Sequence, residues 1–423
     1  MGHNVSLCFA GPSAVGEDNE ADPGGDVPGG EQLRSQQTDA WKECNRRLFH
    51  YYRTLAPQLP NSFREMEPLF LAVICGCNAG LFREALHEVY ILRIQRGDAS
   101  FAAQVLGARG ALLSVLVHFF EQGRWGSLVE SGVERERLTA EDQLFILTQS
   151  GLYLTATRGL GAPEARFCYE RAEPLCHSLN RPVLLYVALM GQWRYSLLND
   201  KLTATMQIAE RVHSLAQEQD DPTLMIGAYR ALAATLYYLG DFESARQYAM
   251  RGVEIWRSGG APSHAEFLDA PAVVCLCYAA LSDWHFGEIV SCQAAITEAV
   301  SLAKELNDMV GLAAALRFSA CIAHYSRNTT EVERFASDLI ELSTLHNFSY
   351  WMATGTIFRG WARSVSGDTA QGISWIEEGI EDFRETGVTP SVPYWLALKG
   401  RSFALSGAYL RDSRGHIGGR SYR

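Results

Sequence analysis

A recurrence of about 40 residues between equivalent packing positions is the feature that most constrains this chain. Short Gly, Asp or Asn turns lead into helices, and the first small or apolar residue facing the partner helix sets a register. The register positions are Ala85, Ala165, Thr205, Ala245, Cys292, Val332 and Gly372. From residue 165 onward the intervals are 40, 40, 47, 40 and 40 residues. A period of this length with two helices per unit predicts an all-α fold, an α-solenoid of tetratricopeptide-like hairpins.

The clearest unit combines a helix over Ile226–Leu239, a turn at Gly240 and Asp241, and a second helix over Phe242–Trp256. Three small residues lie on one face of the second helix: Ala245, Ala249 and Gly252. The interval of 80 residues before position 165 predicts a further unit near Trp125, and the interval of 47 predicts extra loop residues over 258–269. A non-repeating helical bundle is the alternative to the solenoid.

Composition and patterning divide the chain into four segments. Residues 1–38, rich in Gly, Pro, Asp and Glu, are predicted to be disordered because they offer too little apolar surface to bury. Residues 39–180 are predicted as N-terminal helical repeats, 181–398 as the tetratricopeptide-like solenoid and 399–423 as an irregular basic tail. That tail would leave the solenoid without a polar capping helix, which predicts self-association through an apolar end.

Charge and hydropathy exclude several classes of partner. The 423 residues include 48 acidic and 37 basic side chains, a formal charge of −11 without a basic block, so nucleic acid is not expected as a ligand. No apolar run reaches the roughly 18 residues of a membrane span. The N-terminus also lacks the basic region of a secretory signal, so the sequence predicts a cytoplasmic protein without a membrane partner.

Motifs for catalysis are missing at their required spacings. The chain has no G-x-S-x-G, no H-E-x-x-H and no G-x-x-x-x-G-K-[ST] pattern. The segment Gly11–Gly16 has the outline of a phosphate loop, but Glu17 and Asp18 stand where Lys and Ser or Thr are needed. We therefore predict no catalytic residues, no metal and no cofactor, and a protein that is not an enzyme.

The first helices of tetratricopeptide hairpins line a concave surface, and the register predicts which side chains face it. The predicted partner-binding residues are Arg194, Arg230, Tyr237, Trp284, Arg317, His324 and Trp361. Guanidinium groups pair with carboxylates and stack on aromatic rings, so this wall suits an acidic or aromatic peptide. The alternative for the aromatic residues, and for the arginines, is packing within and between repeats.

Several segments resemble one bacterial family. Phe358–Ala362, Pro393–Leu398 and Ala299–Leu306 are similar to the tetratricopeptide tail of STAND-type ATPases, many of which are fused to class III adenylate cyclase domains, and Trp41–Gly97 is similar to the segment that follows their ATPase module. The resemblance covers roughly residues 38–398. It implies a helical-repeat sensor or scaffold, whereas the ATPase and cyclase modules themselves have no counterpart in this sequence.

Two functions follow as expectations. The first is a non-catalytic protein or peptide interaction module, the sensor or scaffold part of a signalling ATPase or adenylate cyclase-like protein without its catalytic domains. The second is a standalone helical-repeat receptor for a peptide or a small-molecule signal. An ATPase or cyclase active site within the chain is disfavoured, because the phosphate loop and the cyclase acid pair are missing.

Overall fold

The computed structural model describes residues 38–129, 134–199, 201–259, 270–388 and 391–405. Within these ranges the chain forms helices and turns and no β-strand; one isolated bridge joins Phe120 and Leu128. The predicted disordered segment, apart from Thr38, and residues 406–423 of the predicted basic tail lie outside the described residues. The all-α class is confirmed. No helix in the described ranges combines the length and apolarity that crossing a bilayer requires.

Two long helices precede the array and thirteen form it. The first two are α1 (Thr38–Leu55) and α2 (Phe63–Ala79). The array comprises α3 (Ala140–Arg158), α4 (Pro163–Ser178), α5 (Pro182–Asn199), α6 (Leu202–Gln219), α7 (Pro222–Leu239), α8 (Phe242–Arg257), α9 (Pro271–Phe286), α10 (Ile289–Glu305), α11 (Met309–Tyr325), α12 (Thr329–His346), α13 (Ser349–Val365), α14 (Thr369–Glu385) and α15 (Val392–Leu405).

The predicted period is present in the helix boundaries. The second helices of the hairpins begin at residues 163, 202, 242, 289, 329 and 369, which gives steps of 39, 40, 47, 40 and 40. All seven register positions named from the sequence are buried. Consecutive helices pack against each other along the whole array. The solenoid is therefore confirmed, and the longest step coincides with the connection between α8 and α9.

Turn chemistry explains where the helices start. Gly240 adopts a left-handed conformation (φ +86°) that a side chain would strain, and Asp241 then accepts a hydrogen bond from the backbone N–H of Ser244. Asn328 and Asp368 cap their helices in the same way. Each cap satisfies an N–H group that has no partner within the first turn of a helix.

The array has an inner and an outer layer. Successive first helices pack against one another, whereas successive second helices make little direct contact, so the array curves with the first helices inside. The sequence pattern matches these positions: in α9 every residue from Ala272 to Asp283 is buried, but in α8 burial is confined to one stripe. That stripe consists of Ala245, Ala249, Gly252 and Val253.

The region between α2 and α3 departs from the repeat. A turn at Phe82–Glu84 continues into a π-helix over Ala85–Gln95, and only short helices and turns follow up to α3. No hairpin forms near Trp125 within the described residues, so the unit expected there is not regular. Leu92 lies seven residues after Ala85 and would share its face in an α-helix, but it is 59% exposed because the wider turn of the π-helix moves it off the packing face.

Candidate ligand-binding cavity inside the superhelix

A cavity lies in the interior of the array, bounded by side chains from five successive first helices and by the turn after α3. Its lining consists of Leu160, Trp193, Arg194, Leu197, Leu198, Arg230, Tyr238, Val274, Tyr278, Val310, Ala314, Arg317, Phe318, Tyr350 and Trp351. Among the described residues, the lining contains three arginines and no carboxylate. The cavity offers about 60 Å³ to water-sized groups, which suits a small functional group rather than a folded segment.

The three arginines predicted from the sequence all line this cavity, although they come from α5, α7 and α11. Each is less than a tenth exposed. The guanidinium carbon of Arg230 lies 5.5 Å from the centre of the Trp193 ring, and that of Arg317 lies 4.6 Å from the centre of the Phe318 ring. The face of an aromatic ring attracts a guanidinium, so these contacts help to fix the positions of Arg230 and Arg317 in the wall.

Tyrosine hydroxyls add polar groups to the same wall. Burial raises the pKa of Tyr278 well above the usual tyrosine value and raises the pKa of Tyr350 as well. Both side chains therefore stay protonated at neutral pH, and each can donate a hydrogen bond to an anion. The cavity thus combines cations and neutral donors in an otherwise apolar surface.

The two ends of the array are in contact with each other. The turn between α3 and α4 meets the segment that follows α14: a Cβ added to Gly161 would lie 2.8 Å from Cγ2 of Val388 and 3.2 Å from the backbone oxygen of Thr386. Ala162, Thr386 and Val388 are all buried. Consequently the first-helix wall, predicted to face a concave surface, lines a narrow space that is partly open to solvent.

The other four predicted residues do not line the cavity. The hydroxyl of Tyr237 lies 3.1 Å from Nε2 of His285 in the next repeat, and the indole N–H of Trp284 donates to Oγ of Ser326 at 3.4 Å. The rings of His324 and Trp361 meet edge to face, with centres 4.5 Å apart. The structure places these four side chains at junctions between neighbouring repeats.

Superhelical rise explains this division. In α5 the cavity is lined from Trp193 to Leu198, near the helix C-terminus, whereas in α13 it is lined by Tyr350 and Trp351, at the N-terminus. The level of the cavity therefore shifts from the C-terminal half of α5 to the first turn of α13. Arg230 and Arg317 share one register level and both line the cavity, whereas Tyr237 and His324 lie seven residues further along the same helices, at a level beyond it.

Sequence reasoning missed six aromatic residues of the lining. They are Trp193, Tyr238, Tyr278, Phe318, Tyr350 and Trp351. A partial signal is present in the helical spacing, because Val310, Ala314 and Arg317 follow one face of α11 at intervals of four and three residues. Nothing in a single helix indicates that this face meets that of α5, which lies three hairpins away.

Within the described ranges, no group of three or more His, Cys, Asp or Glu side chains is arranged to hold a metal ion.

Comparison with known proteins gives one curated relative and several solved structures. No family model matches the sequence. An uncharacterized protein of Rhizobium meliloti (strain 1021) is 23% identical over 280 residues, which cover 65% of this chain and 27% of the relative. The chain thus spans about a quarter of the length of that relative.

Three similar solved structures have low sequence identity. A STAND protein with a tetratricopeptide repeat sensor from Pyrococcus horikoshii is 10% identical with a TM-score of 0.40, covering 88% of this chain and 50% of its own. A Rap protein complexed with competence and sporulation factor is 9% identical (TM-score 0.46; 89% and 96% covered). The quorum sensor NprR from B. thuringiensis, in its apo form, is 11% identical (TM-score 0.44; 83% and 84% covered).

Proposed function

We propose that this chain is a non-catalytic interaction module that binds a protein segment or peptide inside its superhelix. The observation that carries the proposal is the convergence of Arg194, Arg230 and Arg317, from three separate hairpins, on one aromatic-lined cavity without a carboxylate. A guanidinium is costly to bury, and a site for an anionic ligand accounts for the position of Arg317, whose Nε atom has no hydrogen-bond partner among the described residues.

The finer assignment is the sensor or scaffold part of a signalling ATPase or adenylate cyclase-like protein. The sequence resemblance supports it, and so does the span of the chain, about a quarter of the length of its curated relative. Binding inside the superhelix would change its curvature and so carry a signal to an attached module. An ATPase encoded in the same reading frame or operon would support this assignment.

A standalone receptor for a peptide or small-molecule signal is the second candidate. The small volume of the cavity favours it, because about 60 Å³ accommodates a small group more readily than a long segment. A promoter that serves this chain alone would support the receptor. Cytoplasmic location belongs to both proposals; the nine described cysteines, all unbridged and all buried except Cys44, support a reducing compartment.

Hydrogen exchange with the small-peptide fraction of a cell extract tests the proposal. We expect bound peptides to slow exchange in the inner helices α5, α7 and α11 and to leave the outer helices α8, α10 and α12 unchanged. A triple variant with Arg194→Ala, Arg230→Ala and Arg317→Ala should lose this protection. Protection that persists in the triple variant, or that is confined to the outer helices, would rule out binding in the cavity. Circular dichroism of the variant controls for loss of fold.

A further inference from the structure

The surroundings of Arg317 are those of a binding site for an anion. It lies in α11, is 8% exposed, and its Nε atom has no hydrogen-bond partner among the described residues. Its one aromatic neighbour in cation–π contact, Phe318, supplies no negative charge. Arginine does not lose its proton in proteins, so this charge stays in the wall of the cavity.

The surroundings of Arg317 limit what can neutralise it. No carboxylate lines the cavity in the described part of the chain, and Tyr278 and Tyr350 stay protonated because burial raises their pKa. A buried ion without a counter-charge is strongly disfavoured, since the interior replaces little of its hydration. An anion entering the cavity would gain the attraction of a desolvated guanidinium together with two hydroxyl donors.

Size and shape favour one class of anion. The space of about 60 Å³ holds a group of a few atoms, and apart from the three arginines and the tyrosine hydroxyls the wall is apolar, with Leu197, Val310 and Ala314 among its members. A guanidinium presents two parallel N–H groups that match the two oxygens of a carboxylate. A carboxylate carries a single charge and loses less hydration than a phosphate dianion on entering a site whose remaining wall is aliphatic and aromatic.

We propose that the interior cavity is a carboxylate-binding site in which Arg317 pairs with the carboxylate of a ligand whose apolar substituent packs on the aliphatic and aromatic wall. The inference rests on the proposed function, because it names the chemistry recognised at the same site. The carboxylate has two possible sources, a small organic acid or the C-terminus of a peptide.

Isothermal titration with matched pairs of probes tests the inference and separates the sources. The first pair is phenylacetate and its neutral isostere phenylacetamide; the second is the tripeptide Ala-Leu-Phe with a free and with an amidated C-terminus. We expect the acid of at least one pair to bind at least tenfold more tightly than its amide. Binding of phenylacetate alone would identify a small acid, and binding of the free tripeptide alone would identify a peptide C-terminus.

Arg317→Gln should weaken binding of that acid at least tenfold and leave the binding of the amide unchanged. Arg334→Gln, on the outer helix α12 with its guanidinium paired to Glu331, is the matched control and should bind like the wild type. If Arg317→Gln does not fold, Arg317→Lys keeps the charge and loses the paired donors, and should still weaken binding severalfold.

Three results would overturn the inference: equal binding of acid and amide in both pairs, wild-type affinity in the Arg317 variants, or tighter binding of inorganic phosphate than of either acid. These results are distinct from failure of the proposed function. Peptides that protect the inner helices irrespective of their terminal charge would leave the interaction module standing and remove the carboxylate site. Charge-dependent binding of phenylacetate without any peptide binding would support the carboxylate site and remove the peptide-binding module.

Discussion

Arg93 shows how one side chain completes the end of a helix. Its guanidinium donates hydrogen bonds to the backbone oxygens of Arg53 (2.8 Å), Ala56 (3.1 Å), Pro57 (2.7 Å) and Gln58 (3.3 Å). These carbonyl groups lie at and beyond the C-terminus of α1, where helical partners run out. Arg93 therefore attaches the end of α1 to the π-helix, and this is the structural role of a residue within the segment that resembles the STAND family.

Replacement of Arg93 by Met should lower the free energy of unfolding by about 3 kcal/mol, because four buried or half-buried carbonyl groups lose a charged donor. Urea denaturation followed by circular dichroism measures the change. Arg47→Met is the control: Arg47 is exposed and pairs with Glu43, so its loss should change stability by less than about 0.5 kcal/mol. Equal effects of the two substitutions would contradict the role of Arg93.

His324 links stability to pH. Its Nδ1 atom lies 2.8 Å from the hydroxyl of Tyr394, and burial, with a further contribution from Arg401, lowers its pKa from 6.5 to about 4. A neutral imidazole can accept a hydrogen bond from the Tyr394 hydroxyl at Nδ1, whereas in the protonated ring both nitrogens are donors. The folded state therefore resists protonation that the unfolded chain accepts below a pH of about 6.5, and stability falls as pH decreases toward the folded-state pKa.

Between pH 7 and pH 5 the free energy of unfolding should decrease by about 2 kcal/mol on account of His324, and His324→Gln should remove this part of the decrease. Urea denaturation at the two pH values measures it. Burial also lowers the pKa of His213 and His285, so these residues contribute equally in both proteins. An unchanged pH dependence in the variant would exclude His324 as its source.

At the scale of the element, the α13–α14 hairpin depends on two facing glycines. A Cβ on Gly360 would lie 2.6 Å from the backbone oxygen of Gly372, and one on Gly372 would overlap Ser364 and the backbone oxygen of Gly360. The two helices approach this closely because neither residue carries a side chain. Gly360 belongs to Phe358–Ala362, a segment that resembles the tail of STAND-type ATPases, so that motif reflects a packing requirement.

Gly372→Ala should destabilise the protein by about 3 kcal/mol, because the helix backbones have to separate to admit a methyl group. Gly400→Ala is a matched control in α15, where no atom lies within 4 Å of the added Cβ; it should be neutral or stabilise by up to about 1 kcal/mol. Thermal unfolding monitored at 222 nm compares the two. Equal and small changes would show that the hairpin tolerates a wider spacing.

At the scale of the whole molecule, the contact between Gly161 and Val388 joins the two ends of the array. The double variant Gly161→Cys and Val388→Cys places two thiols within reach of a disulfide, with the exposed Cys44 changed to Ser to avoid side reactions. We expect oxidation to slow hydrogen exchange in α5 and α13, and reduction to restore it. Failure to form the bond, detected by mass spectrometry, would contradict the closed arrangement.

Self-association through the C-terminal end stays a prediction. Leu396 of α15 is 45% exposed, beside the half-exposed Lys399–Glu377 ion pair. Size-exclusion chromatography at two concentrations should show a larger species at the higher one, and Leu396→Glu should suppress it. A monomer at both concentrations would refute the prediction.

The hairpins were predictable because each is a local unit. The turn at Gly240 and Asp241, the small residues of α8 and the spacing of about 40 residues depend on neighbours close in sequence, so the pattern of side chains records them directly. The segment after α2 was not, because the π-helix over Ala85–Gln95 changes the number of residues per turn and moves Leu92 out of the face that an α-helical pattern assigns to it.

The sequence by itself determined the class of fold, the repeat and the presence of arginines on the inner wall. Only the tertiary structure decided that Arg194, Arg230 and Arg317 line one cavity while Trp284 and Trp361 pack between repeats. The reason is that the relative positions of distant hairpins depend on small rotations between neighbouring hairpins, and these rotations accumulate along the array. The sequence of a single repeat does not determine this accumulated rotation, which is a property of the whole array.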